Sequence, residues 1–219
     1  MVFEWLAELA EDGSVNVSNH ASAVRQLAEY MNATGRYAYV LPDGFYPYKS
    51  GFAAYVFSDA ELSALFAAID SLPDKPKSNE ALVAPALFRL IYTCGLRPNE
   101  GRELRRERVN LETGEILVTN TKKKKDRLVV MSKDCLNLCR EFDNALSPNR
   151  EYFFPQLNGN VYSSSQVDSL IKKCWSIANP GIENLPSIRT YDLRNTHINK
   201  ILSFQKISVL YICEQKRLG

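Results

Sequence analysis

The sequence predicts a mostly helical fold with one small antiparallel β-sheet, an α+β chain. Three observations carry that expectation. Apolar residues recur at helical spacing behind capping boxes at Ser58 and Ser163. Two short β-forming segments, 115–119 and 127–131, flank a run of lysines. No internal repeat interrupts the order. The 219 residues, 45% apolar and 24% charged, suit a medium domain with a smaller appendage. Apolar stretches fall short of the roughly 18 residues a membrane span needs. The opening MVFEWLAELAEDG is acidic, without the basic-then-apolar layout of a secretion signal. Secreted, membrane-spanning and collagen-like readings are therefore set aside, and a cytoplasmic chain is expected.

Residues 3–10 and 20–33 read as two short helices, the second with Ala23, Leu27, Tyr30 and Met31 at helical spacing. They are too little for an independent core, so the leader reads as part of a small helical domain. Residues 37–57, YAYVLPDGFYPYKSGFAAYVF, carry Pro42, Gly44, Pro47 and Gly51 and read as a linker whose rings pack on a neighbour. Base stacking by those rings is the other reading. The domain boundary is placed between residues 50 and 51.

In Ser58-Asp-Ala-Glu61 the hydroxyl takes an orphan N–H and Glu61 reaches back, opening a helix with Leu62, Leu65, Phe66 and Ile69 on one face. That helix ends before Pro73. A helix over about 79–93 follows, with Leu87, Leu90 and Ile91 inward and Gly95 as its C-cap. Pro98 opens the next, predicted to run to Arg108. After the hairpin, Ser132 caps a helix to Asn144, Ser163-Ser-Ser-Gln166 opens one to Ala178, and 192–203 is the last.

Charge is unevenly distributed. Residues 1–88 hold 5 Lys+Arg against 11 Asp+Glu, whereas 89–219 hold 22 against 14. An acidic leader before a basic body fits a polyanion, as well as a plain solvated surface. The five cysteines, Cys94, Cys135, Cys139, Cys174 and Cys213, are scattered without a CxxC and read as reduced, buried thiols. Cys135 and Cys139 lie one helical turn apart, but His20 and His197 have no finger spacing to them, so no metal is expected.

Three basic features stand out: Arg97 behind the Gly95 cap, the lysines Lys122, Lys123, Lys124 and Lys125 at the hairpin tip, and Arg194 in Tyr191-Asp-Leu-Arg194 at a helix start. Two forked guanidiniums and a lysine, distant in sequence, can converge on one phosphodiester. Each alone also fits a surface ion pair or a solvated turn.

The run LIYTCGLRPNEGREL, residues 90–104, resembles the first-arginine motif of the tyrosine recombinases, the phage-integrase family. In the same order, YVFSDAELSALFAAID is similar to the opening helix of that family's catalytic domain, and EILVTNTKKKKDRLVVMS to its β-hairpin. RTYDLRNT is similar to its His-x-x-Arg box, and FFPQLNGNVYSSSQVDSLIKKCW to the aromatic-plus-helix segment before it. The resemblance covers about 55–204. It implies a tyrosine-recombinase catalytic domain over 51–219, preceded over 1–50 by part of the helical core-binding domain that clamps DNA.

The resemblance also implies roles. Arg97 and Arg194 match the two arginines that hold the scissile phosphate, and Glu100 the acid that supports the first of them. Lys122 matches the lysine that protonates the leaving 5′-oxygen, with Lys123 and Lys124 as alternatives. Lys123, Lys124, Lys125 and Arg127 are expected on the DNA. The family's chemistry is cofactor-free strand exchange on double-stranded DNA through a 3′-phosphotyrosyl intermediate, with further recombinase subunits as partners and bacterial nucleoid DNA as the setting.

Two departures stand against the pattern. Tyr191 occupies the box position usually held by His; a phenol hydrogen-bonds a phosphate but is a poor general base near neutral pH. His197 lies three residues after Arg194 rather than three before, which is a different geometry. The chain then runs INKILSFQKISVLYICEQKRLG to residue 219, where the family expects a Leu-Gly-His turn and a helix bearing the nucleophile. Tyr211, 17 residues past Arg194, comes too early and reads as packing, so the nucleophile is unassigned and the chain is expected to be truncated before it. Two functions follow: a recombinase that borrows a tyrosine in trans, or a catalytically inactive DNA-binding relic of a mobile element.

Overall fold

The computed structural model describes residues 2–14, 16–46, 53–119 and 126–215, with side chains up to Ser203 in the last span. The chain divides into two compact units, Met1–Ala53 and Ala54–Gly219.

In the first unit, α1 (Val2–Glu11) forms about where the periodicity places it, and α2 (Val17–Ala33) starts three residues before the expected residue 20. The face α2 buries is not the expected one. Ala21 and Ala28 are buried, with Val24 partly so, whereas Leu27 and Tyr30 point to solvent. Small side chains let α1 and the loop approach closely, and Leu6 and Leu41 fill the resulting core. Arg25 pins that loop, donating from Nε to the Leu41 carbonyl at 3.1 Å and pairing with Asp43 at 2.6 Å. The described part of 37–57 has no regular structure. Tyr39 and Phe45 pack on Phe3 with centroids 5.7 and 6.4 Å away, while Tyr37 is 95% exposed.

The second unit opens with α3 (Asp59–Asp70) behind the expected capping box. Ser58 Oγ accepts from the Glu61 amide at 3.3 Å, and Glu61 Oε2 accepts from the Ser58 amide at 2.7 Å. Then come α4 (Glu80–Thr93), α5 (Pro98–Arg102), a 3₁₀ turn Arg106–Arg108, β1 (Val109–Asn110), β2 (Glu115–Val118), β3 (Arg127–Val130), α6 (Lys133–Asn144), α7 (Ser164–Ala178) and α8 (Thr190–Gln215). Helix α4 is the centre of the core: it packs on α3, α6 and α8, so Val83, Leu87, Phe88, Leu90 and Ile91 are all sealed from solvent. Both other helix starts form as read, with Ser132 accepting from Cys135 N at 3.3 Å and Ser163 from Gln166 N at 3.2 Å.

The helix expected over 98–108 stops at Arg102. Beyond it the backbone turns to a distant partner: Phe153 N donates to Leu104 O at 2.6 Å and Arg106 N to Glu151 O at 3.0 Å. Those pairings occupy groups a continued helix would need. Strand β1 has two residues, too few for an alternation to register in the sequence. Helix α8 begins two residues before the expected start and runs past Ser203, with no glycine or proline to end it before Gln215.

The sheet is antiparallel in the order β1-β2-β3, with Val109 opposite Ile116 and Val118 opposite Arg127. Alternation sends Ile116 and Val118 inward and Leu117, Leu128 and Val130 outward. Arg127 therefore stands on the half-buried face of β3, beside Val129. The lysines 122–125 lie outside the described residues. No described helix is long and apolar enough to cross a membrane.

Candidate active site

The site is built on the turn that ends α4. Gly95, at φ 57°, and Leu96 close the helix: Gly95 N donates to Tyr92 O and Leu96 N to Ile91 O. This paired ending needs a left-handed residue, which glycine supplies without strain. Leu96 is fully buried, anchoring the exit. Arg97 is then extended and Pro98 starts α5 at once. Gly101 lets α5 lie directly on α4, since a Cβ there would come 2.9 Å from Ile91 Cγ1.

Glu100 sits one turn into α5 and faces back. Its Oε2 accepts from the Arg97 amide at 2.8 Å, and its Oε1 from Arg97 Nη1 at 2.7 Å. Arg127 donates Nη1 to Oε1 at 2.9 Å and Nη2 to Oε2 at 2.6 Å. The carboxylate side chain is 9% exposed. Burial favours its neutral form, but the hydrogen bonds from Arg127 and Arg97 outweigh this and hold the group at about 2. Arg97 is pushed above its ordinary value, chiefly by the Glu100 hydrogen bond and also by the Tyr191 hydroxyl beside it.

Arg194 arrives from the first turns of α8. Its Nη1 donates to the Gly95 carbonyl, tying that helix to the turn presenting Arg97. Burial, and then the neighbouring Arg97 charge, lower it from its ordinary value, which leaves a guanidinium charged. Tyr191, 41% exposed, stands one turn earlier, close to both arginines. The His197 ring is half-buried against Gly95, where a Cβ would meet its Cδ2 at 2.8 Å, and edge-on to Tyr92. Burial and the Arg194 charge push it down, so the imidazole is neutral near pH 7.

Residues that sequence reasoning passed over hold α8 in place. Asp192, 1% exposed, accepts from the Arg189 amide at 2.8 Å and from the Tyr55 amide at 3.3 Å. Thr196 Oγ1 accepts from the Phe57 amide at 3.0 Å, and Asp168 takes the Thr190 amide and hydroxyl at 3.0 and 2.6 Å. The Arg189-x-x-Asp192 spacing is the signal that could have found one of them, a carboxylate three residues beyond an amide at a helix start. Arg97, Glu100, Tyr191 and Arg194 are thus brought together, and Arg127 joins them through Glu100. Tyr211 carries no described side chain. Among the described residues, Cys94, Cys135, Cys139 and Cys174 are free thiols, and no group of three metal-ligating side chains is placed to hold an ion.

Arg97 and Arg194 thus lie beside the Tyr191 hydroxyl on a helical body with a small antiparallel sheet. The fold is similar to that of the Tn1549 transposon integrase in complex with transposon right-end DNA (TM-score 0.71, 13% identity, 91% of this chain and 71% of that one). It is also similar to XerH recombinase bound to a palindromic difH substrate (0.67, 18%, 89% and 58%). A lambda integrase dimer bound to a core site is a third likeness (0.66, 14%, 90% and 70%). The family model described as the phage integrase family matches residues 56–204, and the chain belongs to that family. An integrase/recombinase of Sinorhizobium fredii, y4rE, is 34% identical over 146 residues, 64% of this chain. The match spans 46% of that relative's length.

Proposed function

We propose that the protein is a site-specific recombinase or integrase of double-stranded DNA, working without a cofactor through a 3′-phosphotyrosyl intermediate. The observation that carries this is the convergence of Arg97 and Arg194, 97 residues apart in sequence, at the Gly95 turn. In the reaction a tyrosine oxygen attacks the scissile phosphorus, and the bond to the 5′-oxygen breaks. Arg97 and Arg194 stabilise the charge building on the non-bridging oxygens. Tyr191 donates a hydrogen bond to the same phosphate, and Lys122 protonates the departing 5′-oxygen, with Lys123 and Lys124 as alternatives at that tip. Lys125 with its lysine neighbours follows the DNA backbone. The first unit serves as part of the DNA clamp, further recombinase subunits are partners on the DNA, and the setting is the cytoplasmic nucleoid.

A nicked suicide duplex tests the reading. Incubated with a partner subunit, it traps a covalent protein–DNA adduct, and Arg97→Ala or Arg194→Ala lowers the trapping rate by about 10²-fold or more. Salt-dependent DNA binding with no adduct under any partner condition would instead identify a catalytically inactive DNA-binding relative. No DNA binding at all overturns both.

A further inference from the structure

Arg127 follows the lysine run by two residues, a position that by sequence alone groups it with the DNA-facing side chains. Its guanidinium is engaged elsewhere. Both terminal nitrogens lie on Glu100, one on each oxygen, in the fork-on-fork geometry that only arginine offers. The same two oxygens take Arg97: Oε1 its Nη1 and Oε2 its amide. Four donors thus meet a carboxylate with about four acceptor sites. The carboxylate is saturated and almost wholly buried, so it has one orientation.

The charges make the same point. Arg97 with Glu100 alone is a neutral pair, whose field on a nearby phosphate is weak. Adding Arg127 makes the trio net positive and leaves Arg97's outward donors facing an uncancelled charge. Arg127 also opens β3, so this contact fastens the hairpin's second strand to α5.

We infer that Arg127 is a positioning residue: through Glu100 it fixes the direction of the Arg97 guanidinium and offsets the carboxylate's charge, rather than contacting DNA itself. This rests on the reading that Arg97 grips a phosphate.

Two measurements on the whole chain test it, using Arg127→Gln and Arg127→Lys. The first needs no DNA. In isotope-labelled protein, the Arg97 amide and guanidinium resonances shift in Arg127→Gln and return only in part in Arg127→Lys, which keeps the charge and loses the fork. Unmoved Arg97 resonances overturn the proposal. The second is a double-mutant cycle on affinity for a mixed-sequence duplex across a salt series. Arg127→Gln weakens binding about tenfold in the natural background and has almost no effect beside Arg97→Ala. Additive effects, with the salt slope falling by about one even without Arg97, mark a direct phosphate contact and overturn the proposal. If Arg127→Gln does not fold, Arg127→Lys carries both measurements. Should the natural chain bind no duplex, the DNA reading fails and the Arg97 resonances still decide the role of Arg127.

Discussion

The Arg194 guanidinium donates to the carbonyl oxygen of Gly95, so the helix bearing one arginine is hydrogen-bonded to the turn presenting the other. Neither arginine can shift far without disturbing that turn. Gly95 is thus a packing and conformational choke point as well as a helix terminator.

Replacing Gly95 with Ala meets two obstacles: a left-handed backbone at φ 57° and a Cβ 2.8 Å from the His197 ring. The expected loss is about 1–3 kcal/mol of stability. Adding His197→Ala relieves the steric part and leaves the backbone part, so denaturant unfolding of the double variant recovers some of the loss but not all. A Gly95→Ala protein as stable as the natural chain would contradict the turn geometry.

Glu100 makes stability depend on acid in a defined direction. Its folded value, about 2, lies below the ordinary 4.5. The stabilisation it brings is whole above the ordinary value and is lost as pH falls from there toward 2. With its arginine partners about a third exposed, the increment is about 2 kcal/mol after allowance for solvent screening. Urea melts at stepped pH should show the natural chain losing this increment on acidification. Glu100→Gln lacks it from the start, so the two curves converge in acid.

Thr196→Val keeps the shape of a buried side chain and removes the acceptor of the Phe57 amide. A buried N–H left without a partner costs about 1–3 kcal/mol. Amide exchange read residue by residue should show Phe57 losing protection first, with the α4 amides unaffected until global unfolding.

For the hairpin, changing the four lysines at 122–125 to Ala should flatten the slope of log affinity against log salt, by roughly one unit for each phosphate no longer neutralised. An unchanged slope would place the hairpin tip away from the DNA backbone.

Much of this architecture is legible in short stretches of sequence, because the signals are local. Ser58 with Glu61, Ser163 with Gln166 and Ser132 each begin a helix through hydrogen bonds that reach only three residues. Gly95 ends one through its own backbone. What escapes such reading is set by partners far away. Helix α5 ends at Arg102 because Leu104 and Arg106 pair with residues near 152. The buried face of α2 goes to alanines because of what packs on it, while its larger Leu27 and Tyr30 stay outside. The engagement of Arg127 is hidden for the same reason: it follows four lysines, and nothing nearby in sequence ties it to a carboxylate 27 residues earlier.

The amides of Tyr55 and Phe57 find their acceptors on Asp192 and Thr196, 137 and 139 residues later. At typical translation speeds of about 5–20 residues per second, that segment emerges on the order of ten seconds before its partners exist. The core helices α3 and α4 can collapse in that interval, but the start of the unit cannot be sealed until α8 has been made. Closure of the arginine pair is therefore a late event in the unit's own assembly, and a nascent chain has the core before its two arginines meet.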